Sequence, residues 1–250
     1  MATDFSSAYL NIRGLASKLE EVRLILNDRK FNILCLAETF LDENDDSCLY
    51  EMPGYVMIRR DRLCNNGGGL LCYVQDSLVF EHMQNLDLAM EESVTIMIKP
   101  RHQKSFLVTY LYRPPQSKVS WNSDFSEFVE RCYALNNEII IFGDFNIDLL
   151  NQTSKNRWID NVTSPLLLKQ LISEPTRVTN TSRTLIDHIY SSNCKNILEA
   201  GIIKYTLSDH YMIMASRKMV NGTNCSKQRC KVTFLDYSLA TPENIFNIFS

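Results

Sequence analysis

Two runs in this chain are too apolar to lie on a half-wet sheet. Residues 31–39 read FNILCLAET, and residues 138–142 read EIIIF before a glycine. A strand with one solvated face alternates polar and apolar residues, whereas a strand covered on both faces does not. Such strands need a packed layer on each side, which confines the chain to a layered α/β architecture.

The remaining pattern narrows that choice. SAYLNI reads as a strand ending at Asn11. From Leu15 the apolar residues Leu15, Leu19, Val22, Ile25 and Leu26 recur at helical spacing, with Glu20, Glu21 and Arg23 opposite. Strand, helix and strand in succession fit a crossover between parallel strands. YVMIRR, GGGLLCYV, SVTIMIK and SFLVTYLYRPP follow as β-rich runs, broken by glycine, asparagine and charge. Asn65 to Gly69 is turn chemistry, without the lysine of a phosphate-binding loop. Trp121 to Leu135 carries a second amphipathic helix ahead of the EIIIF strand. A short helix is expected over Trp158 to Val162, and Ser164-Pro165 supplies the N-cap and first turn of a further helix over LLLKQLI. TLIDHIYSS and GIIKYTLSDHYMIMASRK form the last strands. This mixed order predicts two packed sheets with helices outside them, in one domain over residues 5–218. Residues 219–250 read as a linker closing in a small helix over ENIFNIF.

Composition excludes several classes. The chain has 250 residues, 45% of them hydrophobic, enough for a core without disulfides or structural metals. Its eight cysteines are scattered, with Cys35 and Cys72 inside apolar runs, and Cys225 and Cys230 lack a histidine pair to make a zinc site. The N-terminus has no signal-peptide pattern, and no apolar stretch approaches a membrane span. The expectation is a reduced, intracellular, soluble protein whose N-x-S/T triplets are incidental. A net charge of −3 advertises no polyanion partner, and Arg59, Arg60 and Arg62, like Arg217 and Lys218, read as solvated faces.

The informative residues stand where the apolar runs end. In α/β folds functional groups collect beyond strand ends. Asn11 closes the first strand, Glu38 follows ILCLA, and Tyr112 precedes Arg113-Pro114-Pro115. Asp144 and Asn146 follow IIIFG, Asp187 sits in TLIDHI, and Asp209-His210 precedes the closing strand. Any one of these reads equally well as turn punctuation or a solvated cap. Together they make one chemistry. The oxygen ligands Glu38 and Asn11 suit Mg²⁺ better than zinc. Asp144 can orient or deprotonate water, the Asn146 amide and Tyr112 hydroxyl can hold phosphoryl oxygens, and His210 beside a carboxylate can bind phosphate. His188 reads as structural, His82 and His102 as surface, and Asp148 as turn punctuation.

NIRG, LAET, YRPP, GDFN, IDHI and SDH occur in the order and spacing of the endonuclease/exonuclease/phosphatase superfamily. The chain resembles its apurinic-endonuclease-like branch carried by non-LTR retrotransposons, to which NGGGLLCYV and YRPP are similar. The resemblance implies a four-layer α/β sandwich. It implies Glu38 as the principal metal ligand assisted by Asn11 and Asp209, with Mg²⁺ as the ion and Mn²⁺ as a substitute. It also implies Asp144 as the water-activating group, Asn146 as a phosphate holder, Tyr112 as a phosphate contact, and His210 as the catalytic histidine paired with Asp187. Ser208 belongs to the SDH motif, and Thr176 in EPTRVT matches a residue of the site rim. The chain departs from the repair branch at Arg13, where an acid is common, which argues against an abasic-site specialist.

The expected function is a Mg²⁺-dependent endonuclease that nicks one DNA strand to leave 3′-hydroxyl and 5′-phosphate ends. It is expected to act in the nucleus as a monomeric domain, with no reverse transcriptase within Met1 to Ser250. The alternatives are a phosphoesterase on RNA or a small phosphorylated molecule, and a remnant that binds DNA or a partner without cutting.

Overall fold

A computed structural model of the chain describes residues 4–28, 31–62, 67–87, 92–101, 103–118, 120–135, 138–151 and 158–219. Two six-stranded sheets face each other. The first contains β1 (Phe5–Asn11), β2 (Ile33–Ala37), β3 (Tyr55–Arg60), β4 (Leu70–Gln75), β13 (Ile197–Ile203) and β14 (Met212–Arg217), in the order β13-β14-β1-β2-β4-β3. The second contains β5 (Phe80–His82), β6 (Glu92–Ile98), β7 (Phe106–Tyr112), β8 (Glu138–Asp144), β9 (Lys169–Gln170) and β12 (Asp187–Ser191), in the order β5-β6-β7-β8-β12-β9. A two-stranded ribbon joins β10 (Arg177–Val178) to β11 (Arg183–Thr184). Each large sheet has one parallel pair at its centre, β1 with β2 and β7 with β8.

Side-chain alternation builds the layers. Phe5 and Tyr9 of β1 join Cys35, Val108, Tyr110, Ile140 and Phe142 in the core between the sheets. The intervening Ala8 and Leu10 face outward, packing with Val22, Ile25 and Leu26 of helix α1 (Leu19–Asn27). On the far side, Ile139 and Ile141 pack against Phe125, Phe128 and Val129 of helix α2 (Trp121–Ala134), with Ile159 of helix α3 (Trp158–Thr163). Helix, sheet, sheet, helix is the expected four-layer sandwich. Cys35 and Cys72 are register partners on β2 and β4, both inside the inter-sheet core.

Several local expectations fail for identifiable reasons. The first helix starts at Leu19 rather than Leu15, after a 3₁₀ turn over Ala16–Lys18. Gly14 is left-handed, and the Leu15 carbonyl accepts from the Lys18 amide at 2.8 Å, a bond three residues on instead of four, so the first turn is 3₁₀. Ser164-Pro165 starts no helix. Leu167 takes φ +56°, and Lys169–Gln170 pairs with β12 at the sheet edge, so the burial of Leu168 and Ile172 serves a strand and a loop. The arginines read as solvated are engaged instead. Arg59 pairs with Asp61, Arg60 with Asp87, Arg62 with Glu92, and Arg217, 4% exposed, with Glu138. His82 is half-buried against Asp87. His102, Asn65, Asn66 and residues 220–250, with the expected closing helix, lie outside the described residues. Among those described, no helix is long and apolar enough to cross a membrane.

Gly143 is required by the join of β7 and β8. It sits opposite Leu111, and a Cβ there would lie 2.5 Å from the Leu111 carbonyl oxygen, a backbone atom that cannot step aside. Gly143→Ala is therefore expected to cost about 1–3 kcal/mol of overpacking. Thermal unfolding checks this, with a midpoint lower by roughly 3–10 °C; an unchanged midpoint would show that the strand pair can open by itself.

Candidate active site

The site is the polar continuation of the inter-sheet face. Residues i and i+2 of a strand share a face. Asn11 follows Phe5 and Tyr9 on β1, Tyr112 follows Val108 and Tyr110 on β7, and Asp144 follows Ile140 and Phe142 on β8. Where these parallel strands end, the antiparallel β12 starts at Asp187, one register step before Ile189. Tyr112, Asp144 and Asp187 form a row in register across the second sheet. The first sheet supplies Asn11 opposite Ala37, Glu38 just beyond, and His210 two residues before β14. His188 points the other way, to the helix layer. It is fully buried with Nε2 donating to the Ile147 carbonyl at 2.9 Å, a structural histidine as expected.

Asp144, Asp187 and His210 bring one ligand atom each within 4.8 Å of one another, all three buried. His210 Nδ1 donates to Asp187 at 2.9 Å, which fixes the ring and leaves Nε2 for another partner. Burial opposes charge on His210, but the carboxylates of Asp187, Asp144 and Asp209 outweigh it and raise its pKa to about 9. Asp144 is pushed the same way, to about 7, first by burial and then by Asp187. Each of its oxygens accepts one bond, Oδ2 from Asn11 Nδ2 and Oδ1 from the Asn146 amide, both at 2.9 Å. A carboxylate has further lone pairs, so Asp144 can still take a water proton. Asn146, with φ +51°, donates its Nδ2 to the Arg113 carbonyl at 2.8 Å.

The other side holds Asn11 and Glu38. With Nδ2 given to Asp144, Asn11 Oδ1 is buried and has no hydrogen-bond partner among the described residues. Such an orphan is costly in the absence of a cation or donor. Glu38, also left-handed at φ +51°, accepts from the Tyr112 hydroxyl, whose pKa is raised first by burial and then by that bond. Oxygen donors at the ends of these neighbouring strands suit a hard cation, while His210 already supplies positive charge to Asp144 and Asp187.

Three predicted residues have different surroundings from those expected. Asp209 is outside the close group. Its carboxylate is held by Arg177 Nε at 2.7 Å and Arg13 Nη1 at 3.2 Å, and although burial raises its pKa, these arginines and His210 bring it below the usual range. Thr176, expected on the rim, is fully buried, and its Oγ1 accepts from the amides of Ile186 and Asp187. Ser208 turns its hydroxyl to the Asn11 carbonyl at 2.6 Å. Both brace the strands that carry Asn11, Asp187 and His210. Sequence reasoning missed Tyr9, whose hydroxyl accepts from the Asp144 amide at 3.1 Å and donates to Leu111. Its signal was its place two residues before Asn11. Arg177 was also missed, since nothing local ties it to Asp209, 32 residues away. Asp148 keeps its turn role, accepting from Leu150 and also from Leu185.

Residues 8–210 match the endonuclease/exonuclease/phosphatase family. The chain belongs to that family. It is therefore an enzyme of the nuclease and phosphatase kind, hydrolysing phosphoester bonds. No curated protein sequence matches it. Among solved structures it is similar to the endonuclease domain of TRAS1, a telomere-specific non-LTR retrotransposon, with a TM-score of 0.71 and 14% identity over 87% of this chain and 100% of that one. The 3′-5′ exonuclease NExo from Neisseria meningitidis follows, with a TM-score of 0.68 and 17% identity over 86% and 100%. An AP endonuclease from Archaeoglobus fulgidus gives 0.63 and 14% over the same shares. At these identities the likenesses establish the fold. The family assignment rests on the sequence match.

Proposed function

We propose that this chain is a Mg²⁺-dependent DNA endonuclease of the retroelement type, nicking one strand through its single domain over residues 5–218 and acting in the nucleus, where its substrate is. The observation that carries the reading is the division of Asn11. Its amide nitrogen fixes Asp144, and its oxygen is buried without a partner among the described residues, at the end of a strand whose neighbour runs into Glu38. Glu38 and Asn11 would hold the Mg²⁺, with Mn²⁺ as a substitute, and the ion would neutralise charge developing on the phosphodiester. Asp209, proposed to assist them, is held at 3.2 Å by Arg13 and at 2.7 Å by Arg177.

The chain's own residues supply the rest. Asp144 orients a water and accepts its proton, which requires its carboxylate form. Charged His210 donates from Nε2 to a non-bridging phosphate oxygen, with Asp187 holding the imidazolium. Tyr112 and Asn146 add contacts to the same group. The water oxygen bonds to phosphorus, the bond to the 3′-oxygen breaks, and that oxygen leaves as a hydroxyl after taking a solvent proton. The products are a 3′-hydroxyl and a 5′-phosphate. The retrotransposon endonuclease domain among the similar structures supports a DNA substrate.

Supercoiled plasmid tests this. With Mg²⁺ the protein is expected to yield open circles whose nicks a DNA polymerase can extend without prior treatment, and EDTA should abolish nicking. Cleavage of RNA or of inositol phosphates without plasmid nicking would replace DNA as the substrate. Nicking that persists in EDTA would remove the cation from the reading.

A further inference from the structure

Phe40 lies two residues beyond Glu38 and is half exposed, at 50%. It takes φ +58°, a left-handed backbone that is an outlier for a bulky residue. The conformation is well held. The Phe40 amide donates to the Gly68 carbonyl at 3.0 Å, the Thr39 amide to Gly69, and the Gly14 amide to the Glu38 carbonyl. The ring is gripped by opposite edges. A Cβ on Gly14 would lie 3.3 Å from Cδ2, and one on Gly67 would lie 3.1 Å from Cε1. Both glycines are themselves left-handed, at φ +95° and +83°, so two positions suited to glycine flank the ring. An exposed phenylalanine alone would signify little. Strain held by this many contacts beside a site is a pointer to function.

The surroundings say what the ring meets. Arg13, next to Gly14, reaches Glu38 at 3.7 Å, and Arg62 lies over Gly68 and 5.6 Å from the centre of the Tyr112 ring. The clamp is thus continuous with the catalytic rim on both sides. Two residues of chain span at most about 7 Å, which is about two base steps along one DNA strand. We propose that Phe40 is a stacking platform for a nucleobase flanking the phosphate beside the cation that Glu38 would hold. This rests on the nuclease reading above and adds to it the group that positions the strand. A clamped ring presents a fixed π-face at little entropic cost, and every base can stack on it, so the contact holds the strand without demanding a sequence.

Binding of oligonucleotides carrying 2-aminopurine, measured in EDTA so that nothing is cut, provides the test. The wild type is expected to quench the probe on binding. Phe40→Asn suits a left-handed backbone and is expected to keep the thermal midpoint, lose the quench and weaken affinity about tenfold. In Mg²⁺ it should raise KM for plasmid by a similar factor, more than it lowers kcat. Phe40→Trp should restore quench and KM, and its indole emission should fall when DNA is added. Wild-type quench and KM in Phe40→Asn, or an emission change on adding DNA that is no larger in Phe40→Trp than in the wild type, would overturn the proposal. A wild type that quenches but never nicks would overturn the nuclease reading and leave the platform standing.

Discussion

Asp144→Ala and His210→Ala are each expected to lower plasmid nicking on the order of 10²–10⁴-fold, with the fold intact. The reason lies in how the two groups share charge. Asp144 must be ionised to take a proton from water, and burial beside Asp187 holds its pKa near the working range, at about 7. His210 must be charged to bind a phosphate oxygen, and despite burial the three neighbouring carboxylates carry its pKa to about 9. Each charge supports the other, so their removal is not additive, and the double variant should lose little more than either single one. The pH dependence follows in sign. Activity should decline as pH rises through about 9, where His210 gives up its proton. In Asp187→Asn the leading source of that elevation is gone, so the alkaline limb should move down toward the ordinary histidine value. A pH–rate profile of both proteins decides this. An alkaline limb unmoved by Asp187→Asn would show that another group sets it.

Thr176→Val should be the most destabilising conservative change near the site. Valine fills the same space, but the buried amides of Ile186 and Asp187 then lose the oxygen they share, at 3.2 and 3.0 Å. Each orphaned buried N–H costs about 1–3 kcal/mol, so roughly 2–6 kcal/mol is expected. The thermal midpoint should fall by about 5–15 °C. Thr176→Ser keeps the oxygen and should recover most of the loss. Activity below the midpoint should fall as well, because Asp187 is held in place by its own amide. Equal stability of the Val and Ser variants would show that water replaces the threonine oxygen.

Much of this arrangement was written locally. The apolar runs FNILCLAET and EIIIF announced covered strands, and the polar residues at run ends announced the site, because strand alternation carries a core face past its last apolar residue. Asn11, Tyr112 and Asp144 could be found that way. What the sequence hid depends on contacts between distant segments. Arg177 meets Asp209 only because the ribbon of β10 and β11 folds back beside His210, which bridges to Arg177. LLLKQLI has the spacing of a helix, yet β12 offers it an edge, and pairing outweighed local preference. Thr176 is a threonine among threonines until its place under Asp187 is known. Arg62 looked like surface because its acidic partner, Glu92, lies 30 residues away.

The Tyr9 hydroxyl joins the two sheets at the Asp144 amide and the Leu111 carbonyl, wholly out of solvent. That amide can meet solvent deuterium only when the sheets part, and in a sandwich the parting of its sheets is the global event. Asp144 is therefore tied by its own N–H to the portion of the molecule that opens last. Heating should leave no interval in which the protein is folded but Asp144 is adrift, and inactivation and melting should be one transition.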